Sequence, residues 1–283
     1  VASESVVLTN MGIDDYKMVE PGEMVIAGPE GFRVERYWPE QKKAHCFFEW
    51  VYFSNLATSL EGRSVYKVRH AIGRELARME NLPDRDDHLV LAVPETANTV
   101  AQSYAFHLGL PVIDGLLRNR YVGRTFIDGV NRGENVRLKY TPLREVIQER
   151  KVFLVDDTLV RGTTLGTVIE DLRERGRVKE VHVRIGNPPI MGPCFYGIDI
   201  PTIKELFAPA HMNGMRNGEI PPDRLERMAA EIGADSLTYL SMKGLFKAVG
   251  LPKSDLCLAC LNSDYPTPVG RERYQEALAV AAR

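Results

Sequence analysis

Apolar residues along this chain follow two spacings. Leu89-Val90-Leu91-Ala92-Val93 and Val152-Phe153-Leu154-Val155 are short, near-continuous apolar runs, the pattern of strands buried on both faces of a parallel sheet. Val181, Val183 and Ile185 alternate with polar residues and predict a further strand over 180–185. Pro111-Val112-Ile113 reads as another short one. Between these runs the spacing turns helical. Ser64 is a suitable N-cap for Val65, Val68, Ile72, Leu76 and Met79. Residues 97–108 read as a helix stopped by Gly109, residues 165–175 as one ending at Gly176, and residues 225–232 as a third. Strands alternating with helices predict an α/β chain with a mostly parallel sheet flanked by helices.

The first 45 residues are different. Ser5 to Leu8 reads as a strand, and Met24-Val25-Ile26-Ala27 followed by Gly28-Pro29-Glu30-Gly31 predicts a hairpin. This segment is too short for a core of its own and is assigned to a neighbouring domain. Residues 46–266 are expected to form the main domain and 267–283 a C-terminal helix. Asn, Gly and Pro cluster over 211–222 in a predicted surface loop, within which 213–222 reads as an insertion of no assignable role.

Composition narrows the classes. The 283 residues carry 36 Lys and Arg against 38 Asp and Glu, a formal charge of −2, with no basic stripe. Nucleic acid is therefore not an expected partner. No apolar run approaches the roughly 18–20 residues needed to cross a bilayer, so no membrane contact is expected. The first residues lack the basic and apolar blocks of a secretory signal, which leaves a cytoplasmic address as the default. The chain opens on Val1 inside a predicted strand, which reads as a fragment or processed product.

The most informative stretch is Val152-Phe-Leu-Val-Asp-Asp-Thr-Leu-Val-Arg-Gly-Thr-Thr164. An apolar strand ends at Asp156 and Asp157, and a loop of small hydroxyl residues opens a helix. In parallel sheets, ligands bind beyond the carboxyl ends of the strands. Backbone N–H groups of residues 159–164, with the hydroxyls of Thr158, Thr163 and Thr164, suit a monophosphate at a helix N-terminus. Gly162 allows close backbone approach. The paired carboxylates suit ribose hydroxyls or a hard cation such as Mg²⁺. Four cysteines are present: Cys46, Cys194, Cys257 and Cys260. The two-residue spacing of the last pair lets both sulfurs face one metal or cluster. An iron–sulfur cluster, structural zinc and buried free thiols are all compatible with four such residues.

The Val152–Thr164 stretch resembles the phosphoribosylpyrophosphate-binding motif of type I phosphoribosyltransferases. Cys46-Phe-Phe-Glu-Trp-Val-Tyr-Phe-Ser54, residues 118–127, Pro142-Leu-Arg144, residues 194–199, residues 233–241 and Cys257-Leu-Ala-Cys260 resemble glutamine phosphoribosylpyrophosphate amidotransferases. This resemblance covers residues 1 to about 266. It implies a type I phosphoribosyltransferase fold, with residues 1–45 as the tail of a glutaminase domain. The implied activity is attack of ammonia on C1 of 5-phosphoribosyl-1-pyrophosphate, giving phosphoribosylamine and pyrophosphate in purine synthesis. By the same resemblance Asp156, Asp157, Thr158, Val160, Arg161, Gly162, Thr163 and Thr164 hold the ribose 5-phosphate. Pro94, Glu95 and Thr96 form the pyrophosphate loop, and Thr96 lies with the two acids near Mg²⁺. Arg118, Tyr121, Arg124 and Thr125 belong to a loop that closes over the substrate, Arg118 standing where the family commonly has Lys. The four cysteines match ligands of a structural [4Fe–4S] cluster.

The resemblance also implies a dimer or tetramer and a glutaminase domain supplied in cis or in trans. That domain uses an amino-terminal Cys nucleophile, whereas residue 1 here is Val. Ammonia-dependent, glutamine-independent turnover is therefore the expectation. Two other readings are a base-specific phosphoribosyltransferase and a non-catalytic sensor of phosphoribosylpyrophosphate. The first lacks a visible base-binding hood motif and the second a basic DNA-binding module.

Overall fold

The computed structural model describes residues 1–39, 42–82, 85–119, 121, 137–212 and 220–282. Its centre is a four-stranded parallel sheet of β6 (His88–Ala92), β9 (Lys151–Asp156), β10 (Glu180–Ile185) and β11 (Ser236–Tyr239), in the order β11-β10-β9-β6. The ladder is in register from Leu89 opposite Val152 to Ile185 opposite Tyr239. Apolar residues fill both faces, which is why these runs lack strict alternation. Val90, Phe153 and Val155 face a core built with α2 (Val65–Ala77) and α3 (Asn98–Leu108). Leu91, Val152, Leu154, Val181 and Val183 face a second core with α4 (Thr163–Glu174) and α5 (Pro222–Glu231).

The helix signals act as their chemistry dictates. Ser64 Oγ accepts from the Lys67 amide and caps α2, and Gly109 ends α3 in the left-handed region at φ 67°. Gly73 of α2 is required by the crossing with α3: a Cβ there would lie 2.2 Å from the Val100 carbonyl oxygen and 2.8 Å from Ser103 Cβ. Both neighbours belong to a packed helix, so Gly73→Ala is expected to destabilise the protein by roughly 2 kcal/mol, the scale of overpacking. A lowered midpoint in urea at unchanged m would show it.

Two expectations are corrected. Ser5 to Leu8 is not a strand but the start of helix α1 (Ser5–Asn10), whose first turn is pinned from outside. Ser5 Oγ accepts from the Ser59 amide at 2.8 Å, and Glu4 accepts from Asn55 N and Thr58 Oγ1 at 2.7 and 2.6 Å. The strand expected over 111–113 shrinks to a single bridge between Val90 and Val112, Pro111 having no N–H to donate. The hairpin is present as β1 (Glu23–Gly28) and β2 (Gly31–Arg36), which among the described residues pair with each other alone. A C-terminal helix runs from Pro268 to Ala281. Of the expected insertion at 213–222, residues 213–219 lie outside the described residues.

The remaining two-residue strands are β3 (His45–Cys46), β4 (Ser59–Leu60), β5 (Arg63–Ser64) and β12 (Leu256–Cys257). A short antiparallel pair, β7 (Leu116–Arg118) and β8 (Tyr140–Pro142), stands beside the carboxyl end of β6. Among the described residues no helix is long and apolar enough to cross a membrane.

Candidate active site

The site lies beyond the carboxyl ends of β6 and β9. Val93 N donates to Val155 O at 2.8 Å, so the chain leaving β6 stays beside the chain leaving β9 for one more residue. Pro94, Glu95 and Thr96 then turn into α3, the Pro94–Glu95 peptide being cis. Asp156 and Asp157 turn toward α4. The two loops that sequence places sixty residues apart thus form adjoining walls.

The loop from Thr158 to Thr164 is shaped by packing beneath it. Leu159 is buried, and Val160 O accepts from the Phe207 amide at 2.8 Å. Gly162 sits just before α4 at φ 81°, and a Cβ there would lie 2.9 Å from the Phe207 ring, so the position is closed to any side chain. Thr163 and Thr164 are exposed in the first turn of α4, whose leading N–H groups have no partner within the helix. Arg161 is engaged elsewhere, with Nε 3.1 Å from Glu205 Oε2.

Asp157 is buried and Asp156 lies half-buried beside it. Asp157 N donates to Asp156 Oδ1 at 2.9 Å. Burial raises both carboxyls above the usual range; repulsion from Asp157 adds to the rise at Asp156, and Asp157 reaches about 6. Thr158 Oγ1 adjoins Asp157 but is buried without a well-formed hydrogen bond. Such a pair calls for a cation or hydroxyl donors from a ligand. Its oxygen donors fit Mg²⁺, which is usually held by one or two carboxylates, substrate phosphates and water rather than by a cage of side chains.

Three cations or phenols around the acids carried no signal in the sequence. Arg69 of α2 is buried: Nε donates to Trp50 O at 2.9 Å, and Nη2 donates to Tyr52 O and Ser54 O at 3.0 and 2.9 Å. The first two carbonyls belong to a π-helical turn, Glu49–Phe53, and the third to Ser54, which caps it, so the turn and its cap meet one guanidinium. Burial lowers the Arg69 pKa, and Asp157 pulls it back up. Tyr140 and Lys139, at the start of β8, lie within electrostatic reach of Asp156. Their positions follow from the pairing of Tyr140 with Arg118.

Arg118 ends β7 with Nη1 3.6 Å from Glu95 Oε2. It lines a cavity of about 620 Å³ together with Pro94, Glu95, Asn98, Gln102 and Tyr121. Arg124 and Thr125 lie outside the described residues. The structure therefore brings together Pro94, Glu95, Thr96, Arg118, the two acids and their loop, and leaves Arg161 paired at the rim.

A second cluster lies apart from this cavity. Cys257 is the parallel partner of Cys46 through β12 and β3, and all four cysteines are free. Burial pushes the Cys46 thiol up to about 12, with Cys257 and Cys194 adding to the rise, and the Cys260 thiol feels all three others. Three of the sulfurs also receive backbone N–H groups from two residues further along: Phe48 to Cys46, Tyr196 to Cys194 at 3.4 Å, and Ala259 to Cys257. Among the described residues no three His, Cys, Asp or Glu side chains converge tightly enough to hold a single ion. The donor set is soft, mutually repelling and supplied with amides, as thiolates bound to iron would need.

No family model matches the chain. Curated relatives match it along its length. The amidophosphoribosyltransferase of Mycobacterium tuberculosis is 41% identical over 291 residues, covering 100% of this chain and 53% of that protein. Those of Methanothermobacter thermautotrophicus and Bacillus subtilis are 40% and 39% identical, covering 95% of this chain and 54% of each. Among solved structures, the B. subtilis glutamine phosphoribosylpyrophosphate amidotransferase complexed with ADP and GMP superposes with a TM-score of 0.79 at 38% identity, over 94% of this chain and 56% of that one. A structure described as the allosteric regulatory enzyme of purine biosynthesis gives 0.80 at 37%. The chain spans about half the length of the curated relatives it matches. It belongs to the amidophosphoribosyltransferase family.

Proposed function

We propose that this chain performs the transfer half of an amidophosphoribosyltransferase: ammonia displaces pyrophosphate from C1 of 5-phosphoribosyl-1-pyrophosphate and yields 5-phosphoribosylamine. The observation that carries this reading is the adjoining Asp156–Asp157 pair, flanked by the Gly162 loop on one side and by the Pro94–Thr96 loop with Arg118 on the other. A phosphorylated sugar bearing a second polyanion matches each wall.

In this reading the first-turn amides of α4, with Thr163 and Thr164, take the 5-phosphate. Asp156 and Asp157 take the ribose hydroxyls, and Thr158 supplies the hydroxyl that the protein leaves unmatched. Arg118 faces the pyrophosphate, with Tyr121, Arg124 and Thr125 following on the same connection. Breaking the C1–O bond builds positive charge on the sugar and negative charge on the leaving group, so the site works by holding charge rather than by activating a nucleophile. Mg²⁺, held by Asp156, Asp157 and Thr96, would supply positive charge to the departing pyrophosphate. Ammonia is already a competent nucleophile, and no side chain is assigned as its base.

Residues 1–45 are proposed as the edge of a glutaminase domain. Phe32, Tyr37 and Trp38 are exposed on the hairpin, and a two-stranded hairpin is marginal without a partner surface. Cys46, Cys194, Cys257 and Cys260 are proposed to hold a [4Fe–4S] cluster. A structural zinc with Zn–S bonds of about 2.3 Å is the competing occupant of four cysteines, and iron and sulfide analysis separates the two. The cluster would tie the C-terminal segment to β3.

The nitrogen source tests the assignment. Ammonium salts are expected to support phosphoribosylamine formation by the 283-residue chain while glutamine does not. Glutamine-dependent turnover by that chain alone would contradict it.

A further inference from the structure

Asn187 is fully buried, and neither its amide nitrogen nor its amide oxygen has a hydrogen-bond partner. A buried amide left with both ends unmatched is a group kept for a ligand or a water. Its location is specific. β10 ends at Ile185, and the next residue, Gly186, donates its N–H to Asp156 O at 2.8 Å. A Cβ on Gly186 would lie 3.5 Å from that oxygen and 3.6 Å from Asp157 Cα. Asn187 follows directly, at the carboxyl end of the strand beside the one that carries the acids.

The sheet order gives this position a meaning. β6, with the Pro94–Thr96 loop, flanks β9 on one side, and β10 flanks it on the other. If pyrophosphate departs toward the β6 flank while the acids hold the ribose, an in-line displacement at C1 brings the nucleophile in from the β10 flank. A neutral amide suits that place. Its oxygen accepts an N–H from ammonia and leaves the nitrogen lone pair free, whereas a carboxylate there would hold ammonium, which has no lone pair to give.

We propose that Asn187 receives and orients the ammonia nucleophile, an assignment that rests on the transferase reading above. The nitrogen lone pair forms the C1–N bond, the C1–O electron pair leaves with pyrophosphate, and the surplus proton on nitrogen passes to the departing pyrophosphate. Asn187 accepts a hydrogen bond throughout and exchanges no proton.

Asn187→Leu keeps the side-chain volume and removes both polar ends. It is expected to fold with an unchanged or raised Tm, because an unmatched amide is gone. It should bind Mg²⁺ and phosphoribosylpyrophosphate within about twofold of the parent and show a KM for ammonium about tenfold higher, the scale of one lost hydrogen bond. An unchanged KM for ammonium in the folded variant overturns the proposal. So does a parallel loss of phosphoribosylpyrophosphate affinity, which would give the amide to the sugar. If Asn187→Leu does not fold, Asn187→Ala carries the same expectation and the same contradictions. A parent chain without ammonium-dependent turnover overturns the transferase reading itself, a result separate from a working parent whose variant is unaffected.

Discussion

Replacing Asp156 and Asp157 together by Asn is expected to abolish binding of Mg²⁺-phosphoribosylpyrophosphate, by more than a thousandfold, while making the ligand-free protein more stable near pH 8. The two effects have one cause. The carboxyls lie beside each other, Asp157 buried and Asp156 half-buried, and removal from water raises each above its ordinary pKa, Asp157 to about 6. Above about pH 4 the unfolded chain releases these protons while the folded protein still holds them. Across that window the folded state binds more protons, so the stability of the metal-free parent falls as pH rises to 6 and beyond. Asn keeps the shape and removes the charge. The gain at pH 8 is expected to be on the order of 2 kcal/mol, from a rise of about two pKa units discounted for relaxation. Thermal melts from pH 4 to 8 check it: the parent's Tm should drop across this range, Mg²⁺ with substrate should restore it, and the double variant should respond to neither. Retained substrate affinity in the double variant would remove the acids from the site.

The other large effect concerns the cysteines. Anaerobically purified protein is expected to carry about four irons and four sulfides per chain, and Cys260→Ser is expected to lose them. Cys260 is buried and senses the other three sulfurs, so its loss opens the cluster where β12 meets β3. A metal site that closes only in the folded state contributes directly to folding. A loss of roughly 3–4 kcal/mol corresponds to a Tm lowered by about 10 °C for a domain of this size. Iron and sulfide analysis with a thermal melt decides it; one zinc per chain, or a variant as stable as the parent, would contradict the cluster.

Much of the fold was legible because its signals are local. Apolar runs at 89–93 and 152–155 need burial on both faces, and the acid pair with Gly162 must follow a strand and open a helix to be of use. The first-turn helix at Ser5 was not legible, because Val6, Val7 and Leu8 favour strand and only the outside contacts of Glu4 and Ser5 reverse that preference. Arg69 is, in sequence, one polar position among several on a helix. Its meaning arises when the turn at 49–53 and its cap Ser54 present three carbonyls to it. Lys139 and Tyr140 reach the acids through a pairing with β7 that no local pattern announces. Asn187 sat in an unremarked loop, and only its burial without partners singles it out.

The most direct measurement is pyrophosphate release from phosphoribosylpyrophosphate and Mg²⁺ by the purified chain, titrated with ammonium at constant ionic strength. Release that rises with ammonium, saturates, and vanishes with the Asp156 and Asp157 double variant is the expected result. Tight substrate binding with no release at any ammonium concentration would contradict catalysis by this chain and leave a sensor of phosphoribosylpyrophosphate in its place.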